Sequence, residues 1–154
     1  MKPYRVSASV TIDRPAAEVH ALVDDLSAHE RWTDHYTEDW QLLSEVRQGV
    51  GARVSLHAKG SMDGPTEVEI VESTPTRIVE EGHGGKDHKR RSRVTYELRP
   101  LADDRTLVTF TAEMLEPANP LEHFVAPFTQ LYLRQQCTRS LERLRALLES
   151  HVVA

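Results

Sequence analysis

The sequence predicts an α+β domain: a curved antiparallel sheet of six to seven strands wrapped around one long C-terminal helix, with two short helices after the first strand. Three observations carry this. Residues 4–12 alternate apolar and polar side chains. Strand-sized segments separated by turn residues fill most of the stretch from 38 to 115. Residues 121–151 carry an apolar stripe at helical spacing. A chain of 154 residues is sized for one domain, taken as 1–154.

In the first strand Val6, Ala8, Val10 and Ile12 share a face, a period of two. Asp13-Arg14-Pro15 stops it, and Pro15 suits the opening turn of a helix. Val19, Leu22, Val23 and Leu26 then repeat with helical spacing. Ser27-Ala28-His29-Glu30 has the spacing of a capping box and starts a second short helix. Strands follow at 38–44, with Trp40 and Leu42 on one face, at 53–59, with Val54, Leu56 and Ala58 inward, and at 66–72, with Val68 and Ile70 inward. Residues 77–82 are strand-like with an ambiguous face, because Ile78 and Val79 are adjacent. The glycines of 82–87 indicate a loop. Val94, Tyr96 and Leu98 share one parity, as do Val108, Phe110, Ala112 and Met114, with a hairpin turn at Ala102-Asp103-Asp104. In the final helix Leu133, Cys137, Leu141, Leu144 and Leu148 form the stripe, and Pro127 predicts a kink or break. Leu121, Phe124, Val125 and Phe128 fall outside the stripe and read as a separate apolar turn.

Composition narrows function by exclusion. A net charge of −5 disfavours nonspecific nucleic-acid binding, which needs phosphate neutralisation. No apolar run approaches a membrane span, and the first residues lack a signal-peptide core, so the expected location is the cytoplasm. The single Cys137 forms no internal disulfide, and nothing basic beside it in sequence activates the thiol. Eight histidines lack the spacing of a metal site, so neither metal nor other cofactor is expected.

Nearly every strand is apolar on one parity only, so the sheet packs one face. One helix, about 10–12 Å across, cannot cover a strongly curved sheet of this width. The uncovered volume is a cavity between helix and sheet.

The order of elements resembles the helix-grip fold of the START/Bet v 1-like (SRPBCC) superfamily, in particular its bacterial polyketide cyclase/dehydrase-like branch. The resemblance spans nearly the whole chain. It is sharpest at Ser9-Val10-Thr11-Ile12-Asp13-Arg14-Pro15, Glu18-Val19-His20, Asp24-Asp25 and Arg31-Trp32, and again at Leu141-Glu142-Arg143-Leu144 through Leu148-Glu149. His20 stands where the family commonly has tryptophan. The resemblance implies binding or transport of a small hydrophobic molecule, or aromatic polyketide cyclase/dehydratase activity on a poly-β-ketone. A protein-interaction module such as a chaperone activator is a third expectation.

The expected cavity residues are Trp32, Tyr36, Trp40, Leu56, Ile70, Ser92, Tyr96, Phe110, Met114, Phe128, Leu133, Cys137 and Leu141. Trp32, Tyr36 and Trp40 are either an aromatic gate at the mouth or plugs at the core edge. For catalysis the candidates are Tyr36, His35 (beside Asp34) and Arg90; related cyclases are thought to pair a pocket arginine with tyrosine and tryptophan. No arginine falls in the middle of an inward face, which favours binding over catalysis. Ser92 and Glu72 are the other polar residues of inward parity. Lys86, Lys89, Arg90, Arg91 and Arg93 form the main basic cluster. It either docks an acyl carrier protein or pairs with Glu80 and Glu81 across a hairpin.

Overall fold

The computed structural model describes residues 4–150. Its elements are β1 (Arg5–Ile12), α1 (Ala16–Val23), a 3₁₀ turn (Leu26–Ala28), α2 (Glu30–Thr33), β2 (Thr37–Leu42), β3 (Arg53–Ala58), β4 (Thr66–Thr74), β5 (Arg77–Gly84), a second 3₁₀ turn (Lys86–His88), β6 (Arg90–Ala102), β7 (Arg105–Glu116) and α3 (Pro120–Ser150). The strands form one seven-stranded sheet in the order β1-β7-β6-β5-β4-β3-β2. Every pairing is antiparallel. A meander from β2 to β7 thus receives β1 on its far edge, and α1 and α2 carry the chain between the two edges. This is the helix-grip fold.

The core lies between the sheet's inner face and the helices. Val6, Ile12, Val54, Ile70, Ile78, Leu98 and Val108 from the strands meet Val19, Val23, Leu26 and Trp32 from the first helices. Cys137, Leu141, Leu144 and Leu148 complete it from α3. Each such side chain contributes about 1.5–3 kcal/mol by leaving water. The C-terminal end of α3 is tied to the start of α1 by Arg14, whose Nε donates to the Leu148 carbonyl at 3.0 Å. Arg14 satisfies a carbonyl that a helix end otherwise leaves open.

Several expectations change. The second helical start is capped by Asp25, whose carboxylate accepts from the Ser27 N–H at 3.1 Å. Ser27 is not the cap: the chain turns one residue pair earlier, through the 3₁₀ segment. The glycines at 82 and 84 belong to β5, not to a loop, and the turn begins at Gly85 with φ 74°. α3 runs unbroken for 31 residues through Pro127. Pro127 is exposed, so the bond it cannot make is lost where water can compensate. His151, where the sequence ends the helix, lies outside the described residues.

Two of the sheet's bulges, in β2 and β4, reset strand parity. One lies between Glu38 and Gln41 of β2, where Asp39 has φ 56°. It puts Thr37 and Trp40, three residues apart, on the same inner face. The other lies between Ile70 and Glu72 of β4. It places Ser73, opposite the inward Ile78, on the inner face, where its hydroxyl donates to Asp24 at 2.6 Å. Glu72 therefore turns outward to meet Arg77 at 3.0 Å, and does not share the inward parity expected of it.

Candidate functional site

Between the sheet and α3 lies a cavity of about 260 Å³. Trp40, Leu56, Val68, Val94, Phe110 and Leu133 give it mainly apolar walls. Its size sits just under the roughly 300–1,000 Å³ of typical small-molecule sites. Gly84 lies on one wall, with Gly82 next to it on the same face of β5. A Cβ on Gly82 would lie 2.6 Å from the Ser92 hydroxyl, and one on Gly84 2.5 Å from the Thr66 hydroxyl. The Ser92 and Thr66 hydroxyls therefore occupy space that a Cβ on β5 would take, and either side chain would have to shift for one to fit.

The buried end of the cavity is polar. Glu80 pairs in register with Val94, placing it on the inner face, and its side chain is only 7% exposed. Its Oε2 has no hydrogen-bond partner among the described residues. His29 Nδ1 stands 3.6 Å from that oxygen. The other ring nitrogen, Nε2, is 2.6 Å from the Val23 carbonyl, which can only accept, so Nε2 carries the proton. Burial pushes the Glu80 carboxyl up to about 8 and pulls His29 down to about 4. Burial thus favours the uncharged form of both. Trp32 stacks obliquely on His29 at 4.6 Å between centroids and donates through Nε1 to the Tyr96 hydroxyl at 3.4 Å. Burial holds the Tyr36 and Tyr96 phenols well above their usual range, and pushes the Cys137 thiol up to about 12. No thiolate or phenolate is therefore available here.

The other end is charged and partly open. Arg90 donates to Asp63 at 2.6 Å and also to Glu122 at the start of α3. Glu122 in turn accepts from the Ala118 N–H at 2.7 Å. Arg90 therefore ties the β3–β4 loop, β6 and α3 together. Among the described residues no three His, Cys, Asp or Glu converge as metal ligands.

Of the expected cavity residues, the structure brings Tyr36, Trp40, Leu56, Ser92, Tyr96, Phe110, Leu133 and Cys137 to the wall, with Arg90 at its charged end. The others lie elsewhere. Trp32 is fully buried beneath the cavity rather than at its mouth, because α2 turns its ring onto His29. Ile70, Met114 and Leu141 are core residues. Phe128 is 78% exposed on the outward side of α3 and does not border the cavity. His35 bonds Gln136 at 2.6 Å and Ser140 at 3.0 Å, pinning the segment before β2 to α3 instead of facing the cavity. The basic cluster also resolves. Arg93 meets Glu81 at 3.3 Å across β5–β6, as the hairpin expectation had it, but Arg91 meets Glu116 at 3.0 Å and Glu80 turns inward. Glu80, His29 and the three threonines on the wall (Thr33, Thr37 and Thr66) were not singled out from sequence as cavity groups. For Glu80 the one signal was the parity it shares in β5 with Ile78, Gly82 and Gly84, blurred by the adjacent apolar Val79.

A family model described as polyketide cyclase / dehydrase and lipid transport matches residues 3–149. The chain belongs to this family. Solved structures with the same fold include the Zhui aromatase/cyclase from Streptomyces sp. R1128, at TM-score 0.79 and 17% identity over 99% of this chain and 97% of that one. A protein from Thermus thermophilus matches at TM-score 0.73 and 17% identity, over 97% and 99% of the two chains. Norcoclaurine synthase from Thalictrum flavum, as a point mutant with a transition-state analogue, matches at TM-score 0.73 and 11% identity, over 97% and 96%. None of the curated proteins matches the chain. Within the family, this member pairs an apolar cavity with a neutral buried acid, and no helix among its described residues is long and apolar enough to cross a membrane.

Proposed function

We propose that the chain binds a small hydrophobic molecule in the cavity between sheet and α3, and acts as its carrier or receptor. The observation that carries this is the cavity itself: about 260 Å³ bounded by mainly apolar walls. A ligand entering it buries apolar surface at about 25 cal/mol per Å² before the costs of association. The family description, which includes lipid transport, supports a ligand-binding role.

Cyclisation of a poly-β-ketone is the second reading, and two observations weigh against it. Arg90, the candidate electrophile, is engaged by Asp63 and Glu122. The cavity, at about 260 Å³, also lies below the range of typical small-molecule sites, which weighs against a long polyketide chain folded inside it. Docking of an acyl carrier protein is not part of the first reading, because Arg90, Arg91 and Arg93 each pair with a carboxylate of this chain. A cytoplasmic location belongs to the same proposal.

The direct test is mass spectrometry of small molecules released from natively purified protein. A stoichiometric apolar compound supports the reading. In parallel, flat apolar probes are titrated while following emission of Trp32 and Trp40, the chain's two tryptophans. Saturable quenching is expected and should weaken in Trp40→Ala. If no probe saturates and no compound is released, the binding reading fails.

A further inference from the structure

The buried end of the cavity presents hydrogen-bonding capacity that the described residues do not use. His29 commits its Nε2 proton to Val23, so its Nδ1 lone pair faces Glu80 Oε2. Two lone pairs in that position repel. A proton on Oε2 removes the repulsion, and it leaves the other carboxyl oxygen as an acceptor. Tyr96 shows the reverse. Its hydroxyl oxygen accepts from Trp32 Nε1, and its own proton has no acceptor among the described residues. Sheet register sets the two side by side: Glu80 lies opposite Val94 and Ile78 opposite Tyr96, so Glu80 and Tyr96 are diagonal neighbours on one face. Diagonal pairs are within reach of long and aromatic side chains.

We propose that Glu80 and Tyr96 together hold the hydroxyl group of a small, uncharged, largely apolar alcohol or phenol, the ligand donating to Glu80 and accepting from Tyr96. This rests on the reading of the cavity as a ligand site. One acceptor beside one donor is the complement of a hydroxyl, which is both. A ketone uses only the donor, and a hydrocarbon uses neither. An anion would bring its charge to a wall whose cations, Arg90 and Arg93, already serve carboxylates of this chain. With the hydroxyl in place Glu80, ligand, Tyr96 and Trp32 form one hydrogen-bonded chain, and such a polar network is stronger than its separate bonds. Neutrality of the carboxyl at working pH, a product of its burial, agrees with an uncharged partner.

The test is a matched set of probes of one shape: indan-5-ol, 1-indanone and indane, titrated by calorimetry and tryptophan emission. The wild-type protein should bind indan-5-ol about thirtyfold more tightly than indane, the worth of two ordinary net hydrogen bonds, with 1-indanone between them. Glu80→Leu should bring the indan-5-ol to indane ratio close to one. Glu80→Gln keeps a carbonyl acceptor and an N–H for His29, so it should keep most of the preference while preserving the fold. Tyr96→Phe should lower the ratio without abolishing indane binding. Equal binding of all three probes, 1-indanone binding as tightly as indan-5-ol, or a ratio unchanged in Glu80→Leu would overturn this inference and leave the cavity reading standing. Binding of none of them would overturn both.

Discussion

The two ends of the cavity solve the same problem in opposite ways. At the Arg90 end, carboxylates from two other elements stand against a guanidinium and the group stays wet: the Arg90 side chain is 24% exposed. At the Glu80 end a single carboxyl is 7% exposed with no cation beside it, and it stays neutral instead. Burying an unpaired charge is costly, so the proton itself serves as the compensating group. The contrast assigns the charged end to holding elements together and the neutral end to contact with an uncharged ligand.

The largest expected effect lies under the neutral end. Trp32→Ala removes a fully buried ring that supports both His29 and Tyr96. It should cost about 3–5 kcal/mol of unfolding free energy in urea. Trp40→Ala, on the partly exposed wall, should cost clearly less and act mainly on binding. Equal losses would erase the distinction between support and wall.

Next in size is a pH effect specific to Glu80. A carboxyl raised to about 8 in the fold and near 4.5 when unfolded takes up protons on folding, so stability falls as pH rises through the interval between these values. His29, lowered to about 4, works the other way: its contribution falls as pH drops below about 6.5. Other titratable groups near Glu80 are Tyr96, Tyr36 and Cys137, all held protonated across this range by burial. Thermal melts should therefore show the wild type losing stability from pH 6.5 to 8, and Glu80→Gln losing much less. Parallel profiles would mean that Glu80 is ionised in the fold, and the two ends would no longer differ.

At the charged end the effect is smaller. Arg90→Met leaves Glu122 without its partner and should cost about 1–2 kcal/mol, since the site is partly solvated. It should leave probe binding at the buried end within about twofold. Smallest of all, Phe128→Ser on the exposed side of α3 should stay within about 0.5 kcal/mol in the same urea assay and leave probe binding unchanged.

Much of this fold is legible in the sequence because period-two strands and a helical stripe record which face is buried. The inward parity of β1, β3, β6 and β7 follows from Val6, Val54, Tyr96 and Phe110 alone. What is not legible is where the period slips. The bulge after Ile70 exchanges Glu72 for Ser73, and no residue type in that stretch announces it. In β5 the adjacent Ile78 and Val79 are both buried, one on each face, because the outer face near Thr95 and Thr111 is itself covered. That hides the parity which carries Glu80 inward. Trp32 was legible as important but not as to place, since a ring at the end of a four-residue helix is aimed by packing rather than by spacing.

Gly82 and Gly84 give the cavity an unusual dependence on what is missing. Where most binding sites are dimensioned by the side chains that line them, this wall of β5 is dimensioned by two absent β-carbons. Alanine at either position would press on the Ser92 or Thr66 side chain and force it to shift, which for either is a change in the cavity wall itself. Ligand size is thus under the control of single methyl groups, an economical dial by which a lineage could trade one ligand for another while Glu80 and Tyr96 stay unaltered.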